Sequence, residues 1–392
     1  MNLSQIKGDK VIWAIVVLLS IISMLAVYSS ISSLAYKSGS SNQEIILIKH
    51  AITVLMGLSL MFFVHRLKFT YYSRIAQLAY WVAIPLLALT LILGVSLNDA
   101  SRWLVVPGLG ISFQTSDFAK LALIMFVARL LAKKQDQIKD FKSTFIPVLL
   151  PIFVICGLIL PANFSTAAVL FATCLVLMFI GRVNVKYLFA LGGVGVVLFG
   201  LFVVIALNSS DKGRIGTWKN RIENFASGGS ANTDSNYQVN QAKIAIATGG
   251  VMGKGPGGST QRNFLPHPYS DFIYAFIIEE YGLVGGSFVL FLYILLLFRT
   301  IRIANMTESD FGAFLALGCC FLLVFQAMIN MAVAVNLIPV TGQPLPFISK
   351  GGTSVIFTGI AIGMILSVSR SLENQPEVNN VIKQKGGELA AA

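Results

Sequence analysis

Apolar and polar residues do not alternate along this chain; the apolar ones gather in long runs divided by short polar connections. A hydrocarbon core of about 30 Å is crossed by about 20 apolar helical residues. On that scale about ten runs qualify: 11–30, 45–64, 76–95, 116–132, 145–160, 166–180, 187–207, 272–298, 313–335 and 353–369. The pattern predicts an all-α polytopic membrane protein. A single transmembrane domain fills residues 1–370, and a polar tail, 371–392, is expected to be disordered. Lys7 and Lys10 precede the first run as in a signal peptide, but its length and the runs behind it favour an uncleaved anchor.

Composition makes lipid the only adequate solvent. With 56% hydrophobic and 12% charged residues and a mean hydropathy of +0.78, the chain cannot hide its apolar surface in water. A soluble protein is thereby excluded, and no nucleic-acid partner is expected. Cys156, Cys174, Cys319 and Cys320 all lie in apolar runs, which points to core packing and away from a disulfide framework or a zinc site.

Basic residues orient the spans. Arg66, Lys68 and Arg74 share one short connection, and Lys133, Lys134, Lys139 and Lys142 lie two connections on. Arg182 with Lys186, Arg299 with Arg302, and Arg370 with Lys383 and Lys385 keep the same parity. The positive-inside rule then puts both termini in the cytoplasm.

One large extracytoplasmic loop, 208–270, separates the seventh and eighth spans. Ile215, Trp218, Ile222 and Phe225 recur at helical spacing among Arg214, Lys219 and Arg221, which predicts an amphipathic surface helix. A second short helix is expected over 237–248, stopped by Gly249 and Gly250, and 228–235 has linker composition. Lys212, Arg214, Lys219, Arg221, Lys243, Lys254 and Arg262 face only Asp211, Glu223 and Asp234. Headgroup attraction and an anionic substrate both explain that excess. No internal repeat suggests an inverted-repeat transporter.

Ionisable residues at membrane depth are costly and therefore functional candidates. Asp271 stands where the large loop meets the eighth span. It or Ser270 can cap that helix, and the helix dipole would keep a carboxylate there ionised. An ionised carboxylate can accept a hydroxyl proton or hold a divalent metal. Glu279 and Glu280 fall roughly 12–14 Å further along the helix and off the Asp271 face, where they read as supporting partners of buried cations or polar groups. Asp117 and Lys120, three apart at the start of the fourth span, share a face as an ion pair or as part of a site. Arg102 just outside can grip phosphate bidentately, and Trp103 suits the interface.

Residues 330–354 include Asn336 and the run IPVTGQPLPFISKGGTS. Pro339, Pro344 and Pro346 forbid a regular helix there, and Gly351 and Gly352 permit close backbone approach. Irregular backbone at membrane depth must be buried or line a cavity, so a re-entrant cavity wall carrying Gln343, Ser349 and Lys350 is expected. GGVMGK at 249–254 fails as a phosphate-binding loop: Thr248 holds the first glycine position and Gly255 follows the lysine. No nucleotide is expected. His50, His65 and His267 are dispersed, with surface roles by default and, for His267, an alternative role assisting Asp271.

These motifs carry a resemblance. ASRW at 100–103, FQTSDFAKLAL at 113–123, YQVNQAKIAIATGGVMGKGPGGSTQ at 237–261, FLPHPYSDFIYAFIIEEYGLVGG at 264–286 and PVTGQPLPFISKGGTS at 339–354 occur in order across nearly the whole chain. Together they resemble the SEDS family, the proteins of shape, elongation, division and sporulation. The resemblance implies a peptidoglycan glycosyltransferase that polymerises lipid II, the undecaprenyl-pyrophosphate-linked precursor, onto a lipid-linked glycan strand. Asp271 matches the family's catalytic aspartate and is the expected base or ligand of Mg2+ or Mn2+. The candidate substrate-binding set is Arg102, Asp117, Lys120, Lys243, Arg262, Gln343, Ser349 and Lys350, with Glu279 and Glu280 in support.

The chain departs from the family pattern at several positions. His267 and Tyr269 stand where Glu and His are frequent, Asn163 replaces an aspartate, Asp117 a glutamate and Lys350 a tyrosine. Gln343, Lys350 and the compact length favour a division-type lineage over an elongation-type one. The implied setting is the bacterial cytoplasmic membrane at the division septum, with a class B penicillin-binding transpeptidase and other divisome membrane proteins as partners. A lipid II flippase and a non-catalytic scaffold are the rival readings; neither has much need of Asp271 at the outer rim.

Overall fold

A computed structural model describes residues 7–38, 43–97, 100–105, 112–208, 234–264 and 271–373, together with Gly216, Lys219, Arg221 and Phe225. The spanning helices are α1 (Lys10–Ser38), α2 (Gln43–Arg66), α3 (Phe69–Leu93), α4 (Thr115–Lys133), α5 (Ile146–Ile159), α6 (Phe164–Ile180), α7 (Val185–Asn208), α9 (Ile273–Met306), α10 (Asp310–Ala334) and α11 (Thr353–Glu373). Helix α8 (Asp234–Gly249) belongs to the outer loop. Among the described residues, seven helices are long and apolar enough to cross a membrane. The other three expected spans fall short for separate reasons. Helix α4 carries Asp117, Lys120, Arg129 and Lys133, α6 has 17 residues, and in α7 the qualifying apolar stretch is Val185–Gly195. The protein is thus a multi-pass membrane protein.

Local chemistry sets the helix starts. Asp9 Oδ1 accepts from Val11 N at 2.9 Å and Ile12 N at 3.2 Å, Asn163 Oδ1 from Thr166 N at 3.3 Å, and Ser309 Oγ from Gly312 N at 3.4 Å. Each fills a donor that the first helical turn leaves open. Helices α10 and α11 run through the middle of the bundle, with 72% of each apolar window buried. Helix α11 presses on α2 through small residues: a Cβ at Gly359 would lie 2.3 Å from the Gly57 carbonyl oxygen. Lipid gives apolar helices no hydrophobic reason to pair, so such close backbone packing supplies the attraction.

One end of the bundle is tied by ionic and backbone contacts. Arg299 Nε donates to Asp9 Oδ2 at 2.9 Å, Asp9 N to Ser369 Oγ at 3.0 Å, and Arg370 Nη1 to the Arg66 carbonyl at 2.8 Å. His65 Nε2 lies 3.0 Å from the Lys7 carbonyl. The chain start, the α2–α3 turn, the inner part of α9 and the end of α11 therefore share one face, as the parity of the basic loops requires.

Two features depart from the all-α reading. The outer α3–α4 connection holds a small antiparallel sheet, β1 (Val95–Leu97), β2 (Ala100–Val105) and β3 (Ser112–Gln114), with Trp103 opposite Gln114. It is too short for apolar periodicity to reveal, and it fixes the ASRW segment over α4. The expected continuous run through 272–298 is broken at Gly282, with φ 69° and ψ −171°. There the outer loop docks. Lys254 N and Gly255 N donate to the Glu279 and Glu280 carbonyls at 2.9 Å each, and Leu283 N donates to the Gly250 carbonyl at 3.0 Å. A Cβ on Gly282 would meet the Val251 carbonyl oxygen at 2.0 Å. The GGVMGKG run thus spends its amides on a broken helix.

In the outer loop, the expected 237–248 helix is α8. Gly216, Lys219, Arg221 and Phe225 are helical, while the rest of the expected amphipathic helix lies outside the described residues. So do most of the 228–235 linker, His267 and the tail beyond residue 373.

Candidate active site

The irregular segment 335–352 is held in part by side chains from the surrounding helices. Ser23 Oγ donates to the Ile348 carbonyl at 2.9 Å, Gln326 Nε2 to Pro344 at 2.9 Å, and Asn330 Nδ2 to Gln343 at 2.7 Å. Tyr293 hydroxyl donates to Pro346. The buried carbonyls that the prolines release from helical pairing are thereby satisfied, which membrane depth demands. Phe347 takes a left-handed φ of 64° while only 1% exposed, a strain that its packing maintains.

This segment, β2–β3, α4 and the start of α9 enclose a cavity of about 220 Å³. Asp271, Asp117, Lys120, Gln343 and Lys350 line it, and so do Trp103, Gln114 and Asn163. It is smaller than the ~300–1,000 Å³ pockets that engulf whole small ligands, so it suits the reacting end of a larger amphiphile.

Asp117 and Lys120 form an ion pair at 2.8 Å, both side chains under 10% exposed. Lys120 Nζ also reaches Gln326 Oε1 at 3.5 Å. Asp117 Oδ2 is buried without a hydrogen-bond partner among the described residues. A buried carboxylate oxygen without a partner is costly, and the residue that carries it lines the cavity.

Asp271 sits just before Phe272, the cap position of α9; Ser270, the other expected cap, lies outside the described residues. Its backbone is held by Asn330, whose Nδ2 donates to the Asp271 carbonyl at 2.9 Å as well as to Gln343. One amide thus ties the catalytic candidate to the cavity wall. Gly342 leaves room beside the carboxylate, since a Cβ there would lie 3.6 Å from Asp271 Oδ2.

Arg221 completes this corner from the outer loop. Its Nη1 donates to the Val340 carbonyl at 3.1 Å. Burial pulls its guanidinium below the usual arginine range, and the nearby Asp271 carboxylate opposes that shift. From the sequence it was one loop cation among seven; only the fold sets it beside Asp271. Gln326 and Asn330 were also missed, although two amides four apart in an apolar helix share a face and are expensive in lipid.

Not every expected site residue gathers here. Arg262 and Lys243 do not line the cavity, and neither does Ser349. Arg262 Nη1 donates to the Ser29 carbonyl and hydroxyl at 3.1 and 3.2 Å, and Ser29 in turn donates to Glu280. Lys243 is half-buried on α8. Ser349 Oγ accepts from Leu345 N at 2.8 Å and braces the wall from behind. Asn336, with φ 57°, is a turn residue. Arg102 lies in β2, but its side chain is outside the described residues. Glu279, 0% exposed, accepts from Lys254 Nζ at 2.6 Å, from Thr260 N and Oγ1 at 3.1 Å each, and from Ser259 Oγ. Both glutamates thus clasp the outer loop and stand apart from the cavity.

The family model described as the cell cycle proteins FtsW, RodA and SpoVE matches residues 9–374. This chain belongs to that family. It is 33% identical to stage V sporulation protein E of Bacillus subtilis (strain 168) over 94% of this chain and 99% of that one. It is 32% identical to a probable peptidoglycan glycosyltransferase FtsW of Geobacter sulfurreducens (strain DL-1 / KN400) over 96% and 99%. In fold it matches a chain of a structure described as "Structural coordination of polymerization and crosslinking by a peptidoglycan synthase complex", with a TM-score of 0.73, 24% identity and coverage of 94% and 99%. It also matches the rod shape determining protein RodA of Thermus thermophilus, with a TM-score of 0.66, 23% identity and coverage of 95% and 100%. The FtsW–RodA–SpoVE architecture therefore frames the cavity.

Proposed function

We infer that this chain is a peptidoglycan glycosyltransferase that polymerises lipid II, with Asp271 as the proton acceptor. The observation that carries the assignment of the base is the cavity itself. Asp271 lines it together with Lys120 and Asp117, at the end of the bundle opposite the Asp9–Arg299 ties. The GlcNAc 4-hydroxyl of one lipid-linked saccharide attacks the anomeric carbon of another. The new glycosidic bond forms as the bond from that carbon to the diphosphate oxygen breaks. The hydroxyl proton passes to Asp271, and the polyprenyl diphosphate departs. Lys120 and Arg221 offset the charge growing on the leaving group, the type of stabilisation that dominates many such steps. Asn330, by holding the Asp271 backbone, keeps the carboxylate from drifting with the outer loop.

A divalent cation fits this donor set in part. The Asp271 and Asp117 carboxylates that line the cavity are hard oxygen donors that would hold Mg2+ or Mn2+. Among the described residues no group of three or more His, Cys, Asp or Glu side chains forms a metal cage. When bound, the cation would neutralise diphosphate charge, with Asp271 as its protein ligand.

The FtsW names of several relatives support a division role; the division septum is the proposed location and a class B penicillin-binding transpeptidase the proposed partner. The test is purified protein given labelled lipid II with that transpeptidase present. Glycan strands are the expected product; lipid translocation without polymer would replace this reading with a flippase.

A further inference from the structure

The strained turn in the cavity wall is clamped on both sides, and one clamp reaches back to a buried histidine. Phe347, at a φ of 64°, lies between the Pro346 carbonyl, held by the Tyr293 hydroxyl, and the Ile348 carbonyl, held by Ser23 Oγ at 2.9 Å. Such a backbone persists only where its surroundings over-determine it. Ser23 Oγ is in turn met by His50 Nε2 at 2.9 Å. Expected at the surface, His50 is instead buried on α2, and Ser23 and Ile348 are fully buried with it. Two residues beyond Ile348 the chain reaches Lys350, Gly351 and Gly352, which line the cavity with Asp271.

The available protons fix the role of the imidazole. A serine hydroxyl carries one proton and a carbonyl oxygen carries none. The Ser23 proton is therefore committed to the Ile348 oxygen, and Ser23 Oγ can only accept from His50. Nε2 must bear a proton. In the opposite tautomer a bare Nε2 would draw the Ser23 proton to itself, and the buried Ile348 carbonyl would lose the donor that Ser23 supplies. The ring thus decides whether the clamp on this side of Phe347 is closed or open. Its anchor is rigid, because α2 already packs on α11 through Gly57 and Gly359.

We propose that His50 is a positioning residue for glycosyl transfer: its Nε2–H, acting through Ser23, closes the clamp on Ile348 and holds the Lys350–Gly352 wall in place across from Asp271. This role rests on the glycosyltransferase reading. Gln326 and Asn330 hold the Gln343–Pro344 end of the segment from α10; His50 and Ser23 hold the end next to α11 from α2 and α1. Because His50 acts through the wall, its effect falls on the rate. A displaced wall costs orientation in the transition state while most binding contacts stay in place.

The test reads the proton and the rate separately. The full chain, its histidines isotope-labelled at the ring nitrogens, is placed in phosphatidylcholine nanodiscs for NMR. It has three histidines, and the His50 signals are those lost in His50→Gln. A protonated Nε2 whose resonance moves in Ser23→Ala is expected. A bare Nε2 overturns the proposal, and so does a resonance that Ser23→Ala leaves in place. Polymerisation of labelled lipid II with the transpeptidase present gives the second readout. His50→Leu should lower kcat by about tenfold, the effect on a barrier of one lost hydrogen bond, with KM within about twofold of the unmutated value. His50→Gln, whose amide nitrogen can stand where Nε2 does, recovers most of that rate. Ser23→Ala matches His50→Leu, with no further loss in the double variant, and carries the comparison should His50→Leu not fold. An unchanged kcat in His50→Leu and Ser23→Ala, a Gln variant as slow as Leu, or additive losses would overturn the role. No polymer from the unmutated chain removes the glycosyltransferase reading and this role with it, whereas polymer made with a bare Nε2 sinks this proposal alone.

Discussion

Removing the Glu279 carboxylate is the most informative perturbation outside the cavity. The side chain is fully buried and accepts from Lys254 Nζ at 2.6 Å, Thr260 N and Oγ1 at 3.1 Å and Gln261 N at 3.4 Å, besides Ser259 Oγ. Hydrogen bonds to a charged group contribute about 1.5–3 kcal/mol each, so the gross interaction is large. Much of it is offset by desolvation of the carboxylate, and Lys254, 26% exposed, can turn to water once released. Breaking such a pair from one side therefore costs about 3–5 kcal/mol for Glu279→Ala. Glu279→Gln keeps an acceptor and should lose about 1–2 kcal/mol. Lys254→Met leaves the charge buried without its cation, and in a double-mutant cycle with Glu279→Gln the two losses should be non-additive by about 1 kcal/mol or more. Denaturant-monitored unfolding of the detergent-solubilised protein reads these values. A Glu279→Ala loss under about 1 kcal/mol, or additive losses in the cycle, would refute the clasp as a stabilising network.

Other consequences follow directly from the geometry. Gly282→Ala places a Cβ 2.0 Å from the Val251 carbonyl at a φ of +69° and should cost at least about 3 kcal/mol. Gly255→Ala, at φ +90° with nothing within 4 Å, should cost only about 1–2 kcal/mol in the same unfolding assay. Lys120→Ala should lower kcat/KM for lipid II by about 100-fold; wild-type kinetics would reduce Lys120 to a structural partner of Asp117. Chelation by EDTA should stop polymer formation, with Mg2+ or Mn2+ restoring it, and undiminished synthesis after chelation would remove the cation from the site.

The spans were legible because lipid imposes a strict requirement: every crossing must be a helix with an apolar exterior, and the basic loops report its direction. The cavity was legible in part. Asp271, Asp117, Lys120 and Lys350 stood out because charge at membrane depth is costly, and the prolines of 339–346 announced a non-helical wall. Long-range pairing was hidden. Nothing local to Arg221 distinguishes it from Arg262, yet one lies beside Asp271 and the other grips Ser29 on α1. The break at Gly282 was equally silent, since a single glycine in an apolar run is compatible with an unbroken helix; only the docking of 250–255 shows why it is needed. The short α3–α4 sheet depends on pairing between segments too brief for periodicity to register.

A carboxylate facing the outer cavity, which it lines together with the Asp117–Lys120 pair, is what the account requires of residue 271. Its most direct measurement compares the unmutated chain and Asp271→Asn, both with the transpeptidase and labelled lipid II, after matched unfolding curves confirm equal stability. The account predicts glycan strands from the first and none from the second. Strands of ordinary length and rate from Asp271→Asn would contradict it.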